Sequence, residues 1–124
     1  MTLQEMKEIL DAEVIVGQDQ LCLDVKSAGC SDSMIDIPIF TKAGMVLLTG
    51  LTNPHVIDMA RALGIAAIII VRGRHVPPET IQLAEELQMP LLSTEFYLFE
   101  SIGRLYTKGL VGCMQKVGEK PDLP

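Results

Sequence analysis

The chain has 124 residues, enough for one hydrophobic core and too few for two, and its 48% hydrophobic content supports a compact fold. A formal charge of −6, with no Trp, three Phe and two Tyr, argues against a general binder of nucleic acid or of an anionic membrane surface. The longest apolar run, Ala62 to Val71, is far short of the roughly 20 residues that cross a bilayer, and the acidic start lacks the pattern of a secretory leader, so a cytoplasmic protein is expected.

Leu3, Met6, Ile9 and Leu10 recur at helical spacing, which predicts an amphipathic helix over Thr2 to Asp11 with Thr2 as its cap. A short strand is expected at Glu13 to Val16, then a turn at Gly17 to Gln20. Alternation of Leu21, Leu23 and Val25 with polar residues predicts a strand with one wet face over Leu21 to Lys26. Ser27 to Ser31 reads as a loop. Ser31 or Asp32 is then expected to cap a helix through Met34, Ile35, Ile37 and Phe40, kinked or cut short by Pro38.

From Met45 the pattern becomes regular. Strand Met45 to Thr49 precedes a helix over Pro54 to Leu63, closed by Gly64. Strand Ala66 to Val71 precedes a helix over Pro78 to Gln88, and strand Leu91 to Leu92 precedes a helix over Glu95 to Thr107, closed by Gly109. Apolar strands joined by helices require parallel pairing through right-handed crossovers, so the expected fold is α/β, an open and mostly parallel sheet of βα repeats. Ala66 to Val71 has no polar position, which marks the central strand. In the helix after it, Leu83, Ala84 and Leu87 are expected to face the sheet. One domain over residues 1–114 and a flexible tail over residues 115–124 complete the outline.

In open parallel sheets ligands bind beyond the carboxyl ends of the strands. Here those ends deliver Thr49 to Asn53, Arg72 to His75 and Ser93 to Glu95 to one edge. From Arg61 to Arg74 the only charged residues are Arg61, Arg72 and Arg74. The expected ligand-binding set is therefore Thr49, Gly50, Thr52, Asn53, Arg72, Arg74 and Thr94, suited to a small anion such as a phosphate, a nucleotide or a carboxylate. The plainer reading is that Thr52, Asn53, Ser93 and Thr94 cap helices while the arginines pair with surface carboxylates.

No phosphate-binding loop of the Gly-x-x-x-x-Gly-Lys-Ser/Thr type occurs, and neither His55 nor His75 accompanies a recognised nucleophile, so no catalytic residue is named. Cys22, Cys30 and Cys113 have no metal-ligand spacing and read as reduced thiols, with neither metal nor cofactor expected. Gly103, inside the last helix, is expected to let a strand, a helix or a partner chain come close, a hint of a homodimer.

Val46-Leu-Leu-Thr-Gly50, with Ala67-Ile-Ile-Ile-Val-Arg-Gly73, Glu79 to Leu87, and Pro90-Leu-Leu-Ser-Thr94 through Phe99-Glu-Ser-Ile-Gly-Arg104, resembles a DRTGG domain over about Ala12 to Gly112. Thr49-Gly50 is the one fragment of the family's naming pentapeptide that can be placed. The resemblance implies an α/β domain related to the N-terminal domain of HPr kinase/phosphorylase, of a kind found as a non-catalytic module at a dimer interface in CBS-containing pyrophosphatases. It also implies kinship with free-standing versions encoded near iron-only hydrogenases.

Three functions follow as expectations. The first is a non-catalytic regulatory, ligand-sensing homodimer that binds an anionic metabolite. The second is a ligand-free interaction module that docks onto itself or onto a redox enzyme. The third, an enzyme, lacks an evident base or nucleophile.

Overall fold

A computed structural model describes residues 1–118; residues 119–124 of the expected tail lie outside the described residues. Along the chain the elements are α1 (Leu3–Ile9), β1 (Glu13–Val16), β2 (Ser27–Cys30), α2 (Ile37–Phe40), β3 (Val46–Thr49), α3 (Pro54–Ala62), β4 (Ala67–Ile70), α4 (Pro78–Glu86), β5 (Leu91–Ser93), α5 (Leu98–Thr107) and β6 (Val111–Gly112). The six strands form one sheet in the order β1-β5-β4-β3-β2-β6. Only β1 runs antiparallel to its neighbour, and the other pairs are parallel.

Every residue of β3 and β4 is buried, so both faces of the sheet centre need a covering layer. Leu47, Ile68, Ile70 and Leu91 point to one face and meet Ile37, Val56, Ile57, Ala60 and Ala84 of α2, α3 and α4. Val46, Leu48, Ala67, Ile69 and Leu92 point to the other and meet Leu3, Met6 and Leu10 of the α1 region with Leu105 of α5. Chain direction across the sheet reverses after β5, and the connecting helix changes face at the same point. Each parallel crossover thereby keeps one hand.

The helix ends follow local chemistry. Thr2 and Glu5 form a capping box on α1, Asn53 Oδ1 accepts from Val56 N at 3.2 Å with Pro54 in the first turn, and Pro78 opens α4. Past the helices the chain turns through left-handed residues: Gly64 and Gly109 as expected, but also Asp11 and Gln88, where no glycine marks the stop. On α4 the fully buried residues are Thr80 and Ala84, while Leu83 and Leu87 are half-buried against the same core.

Four expectations need correction. Leu21 to Lys26 is not a strand, because its carbonyls serve the start of α1: Leu3 N donates to Leu23 O at 3.1 Å and Gln4 N to Leu21 O at 2.9 Å. The alternation that resembled a strand comes from Val25 tucking under α1, fully buried, while Leu23 stays exposed. Ser27 to Cys30, read as a loop, is β2. Gly29 is required there, since a Cβ would lie 2.7 Å from the Phe40 ring and 3.1 Å from Cys113 Sγ. Its small residues hide its strand character, which pairing with β3 and β6 imposes.

The helix before β3 is short, as one of the two expectations had it, but its single turn leaves Met34 and Ile35 outside, and Pro38 lies in its first turn. Its N-cap position is Asp36, not Ser31 or Asp32. Lastly, α5 begins at Leu98 instead of Glu95, because Phe96 N donates to Thr94 Oγ1 and Phe96 O accepts from Arg72 N.

The capping box gives a direct test of the α1 contribution. Thr2→Ala removes one side-chain cap and should cost about 1 kcal/mol, lowering the thermal midpoint by roughly 4 °C. Glu5 accepts the Thr2 backbone N–H and then its hydroxyl, which holds its carboxyl below the ordinary glutamate range. Its stabilisation is therefore present above that range and lost as pH falls through the lowered value. Thermal melts of Glu5→Ala should differ from the parent near neutral pH and converge with it on acidification.

Candidate functional site

Parallel alignment of β3, β4 and β5 brings their carboxyl ends to one edge. The exit of β4 leads to α4 on one face and that of β5 to α5 on the other, so the crevice between these exits is the topological switch point. Two backbone hydrogen bonds close that crevice. Arg72 N donates to Phe96 O at 2.7 Å and Gly73 N to Thr94 O at 2.9 Å. They hold Arg72 in the left-handed region at φ 56°, a conformation that costs a non-glycine residue about 1–2 kcal/mol.

Fixed in this way, the Arg72 side chain lies over Gly50. A Cβ on Gly50 would sit 2.8 Å from Arg72 Nη2 and 3.2 Å from Asp32 Oδ1, so glycine makes room for both groups. Three donors then meet one carboxylate. Gly50 N donates to Asp32 Oδ1 at 2.6 Å, Thr49 Oγ1 donates to the same oxygen at 3.4 Å, and Arg72 Nη1 donates to Asp32 Oδ2 at 3.4 Å. Arg72 and Asp32 are 35% and 41% exposed, so the ion pair itself contributes little, about 0.2–1 kcal/mol; the short backbone bond to a charged oxygen is the stronger contact.

The seven expected residues thus divide. Thr49, Gly50 and Arg72 converge on the Asp32 carboxylate. Thr52 and Asn53 hold helix starts: Thr52 O accepts from the buried Thr80 hydroxyl at 2.7 Å, and Asn53 caps α3. Thr94 is 2% exposed, with its hydroxyl donating to Leu10 O at 2.7 Å and accepting from Phe96 N. It ties the end of α1 to the β5 exit. Arg74 is exposed and lies on the other side of the Gly73 turn, in a groove of about 850 Å³ with Asp11, Glu13, His75, Thr94 and Glu95. Arg61 is remote from this edge, donating to Leu87 O at 2.6 Å at the end of α4.

Asp32 is the participant that sequence reasoning missed as a site residue. In the sequence it reads as a candidate cap, and nothing local distinguishes it: its partners are 17 to 40 positions away. The signal available was the match of one acidic residue to a basic, glycine-containing edge.

A second concavity, of about 540 Å³, lies at the β2–β6 side of the sheet, lined by Cys30, Phe40, Ile102, Leu105, Tyr106 and Cys113 among others. Burial pushes both thiols up from the ordinary cysteine value, and Cys30 is raised further by Cys113 and Asp32. Both therefore stay protonated at neutral pH, which opposes thiolate chemistry. Among the described residues, a Cβ built on Gly103 would meet nothing within 4 Å. The expectation of an intrachain contact at Gly103 is corrected accordingly.

The family model described as DRTGG domain matches residues 5–107. No match is found among curated proteins. Among solved structures, the chain is similar to the CBS and DRTGG domains of the regulatory region of Clostridium perfringens pyrophosphatase, complexed with activator, diadenosine tetraphosphate. The TM-score is 0.70 at 18% identity, over 88% of this chain and 47% of that one. At that identity the likeness is one of fold, and this chain spans about half the length of that neighbour.

The buried tie at Thr94 is testable apart from any ligand. Thr94→Val keeps the shape but leaves Leu10 O and Phe96 N without the hydroxyl, and should cost about 1–3 kcal/mol in chemical denaturation. Thr49 is also fully buried, but its partner Asp32 is exposed and can turn to water, so Thr49→Val should cost less.

Proposed function

The chain belongs to the DRTGG domain family, and from that premise we propose that it is a non-catalytic regulatory domain that senses an anionic metabolite such as a nucleotide at the carboxyl ends of β3 and β4. One observation carries the reading: a backbone N–H, a hydroxyl and a guanidinium from two adjacent strand ends already converge on a carboxylate. Such a donor set recognises oxyanions. The groove beyond the Gly73 turn, within the size range of small-molecule sites, supplies space for the uncharged part of the ligand, with Arg74 on its wall. Its carboxylates Asp11, Glu13 and Glu95 make it a poorer place for the anionic end. The nucleotide activator of the pyrophosphatase regulatory region is a reasonable first compound to test.

Thermal unfolding against adenine and guanine nucleotides, diadenosine tetraphosphate, phosphate and small carboxylates tests the reading. A compound that binds only the native state stabilises it by about 2.7 kcal/mol at roughly a hundredfold excess over its Kd. The shift should vanish in the Arg72→Ala, Arg74→Ala double variant while that variant remains folded. A shift that survives both substitutions would place the ligand elsewhere.

A second reading, an interaction module in a homodimer, has its own support. Phe99, Ile102, Gly103 and Tyr106 share one stripe of α5, with Phe99 89% and Tyr106 65% exposed. An aromatic stripe with a glycine between its large residues suits close helix packing against a second copy, or against the redox-enzyme partner that the family resemblance implies. Light scattering should give a dimer mass that falls to that of a monomer in the Phe99→Glu, Tyr106→Glu variant. A parent protein that is already monomeric would remove the homodimer.

A further inference from the structure

We propose that Asp32 is a built-in competitor of the ligand: its carboxylate occupies the point where a phosphoryl oxygen binds, and the segment between β2 and α2 must release that point before the ligand enters. The proposal rests on the anion-sensing reading of this edge and adds its regulation and its preferred ligand class.

The donor set is complete without Asp32. Thr49 and Gly50 come from the end of β3 and Arg72 from the end of β4, whereas Asp32 arrives on a separate connection. That connection has the means to move alone. Its last bond to the sheet is Ser31 N to Leu48 O at 3.3 Å, and its next fully buried anchor is Ile37. Between them Ser33 N donates to Ser31 Oγ and Asp36 N to Ser33 Oγ, contacts internal to the segment, and the partly buried Met34 rests against the core, while Asp32, Ile35 and Asp36 are exposed. Swinging Asp32 away therefore breaks the contacts to Gly50, Thr49 and Arg72 and leaves the sheet ladder intact.

Charge selects the ligand. With Asp32 in place the single positive charge of Arg72 faces a single negative one. A monocarboxylate offers no more than Asp32 already supplies intramolecularly. A phosphate ester carries between one and two negative charges at neutral pH and more acceptor oxygens, so it can displace the side chain. The ligand class is accordingly a phosphate ester or polyphosphate in preference to a carboxylate. Release of Asp32 would change the path of the exposed residues around Ile35, ahead of the Ile37 anchor, giving the bound state a surface that differs from that of the free state.

Calorimetric titration with ATP, inorganic phosphate and acetate tests this on the full chain, Asp32→Ala, Asp32→Asn, Arg72→Ala and the Asp32→Ala, Arg72→Ala pair. If the closed state is favoured about tenfold, as contacts to a charged oxygen allow, removal of Asp32 should tighten ATP and phosphate binding by about that factor. Asp32→Asn, which keeps the shape, should repeat most of the gain, acetate should bind worse than phosphate, and the gain should disappear when Arg72 is also absent. If the parent binds ATP through Arg72 but Asp32→Ala binds it equally or less well, Asp32 is not a competitor and the anion-sensing reading stands. If none of the proteins binds ATP or phosphate, both fail.

Discussion

The structure depends on the burial of β3 and β4 on both faces. Strands with no wet side place their backbone groups out of reach of water, so their N–H and C=O groups must pair laterally and their side chains must be covered above and below. Helices on each face meet that requirement, and the crossovers they form make the inner strands parallel. Parallel strands in turn end at one edge, which is why residues far apart in the chain meet there.

At that edge a backbone feature decides what the side chains do. The bonds from Arg72 and Gly73 to the β5 exit close the switch-point crevice and hold Arg72 in a left-handed conformation. Arg72 therefore turns towards β3 and Gly50, while Arg74, two residues on, lies in the groove on the β1 and β5 side. Two arginines that look equivalent in the chain face different surroundings, one opposite a single carboxylate and the other among three.

The opposite demand appears at α5. Leu105 and Ser101 are buried under the helix, but Phe99 and Tyr106 on its outer stripe stay exposed among the described residues. Arg104 stacks on Phe96 at 4.0 Å and pairs with Glu100 at 2.9 Å, so its charge is held beside this stripe rather than across it. The strand-end cluster around Asp32 and the exposed aromatic stripe of α5 are thus built on different principles, one by polar convergence and the other by the lack of a covering layer among the described residues.

What the sequence determined by itself was the repeating half of the fold. The runs at Met45 to Thr49 and Ala66 to Val71, the proline and asparagine signals before α3 and α4, and the glycines after α3 and α5 act over a few residues, so each was legible locally. The first forty residues were legible only in part: α1 and β1 carry their own period, whereas β2 is a strand because β3 and β6 flank it, and Leu21 to Lys26 is not one because it caps α1. The polar, glycine-containing edge was also readable, since strand direction follows from the βα repeat. Its internal arrangement was decided by the tertiary structure alone. The left-handed turn at Arg72, the burial of Thr94 and the capture of Asp32 by Gly50 arise from contacts between segments distant in sequence, whose energies exist only once the sheet has brought them together.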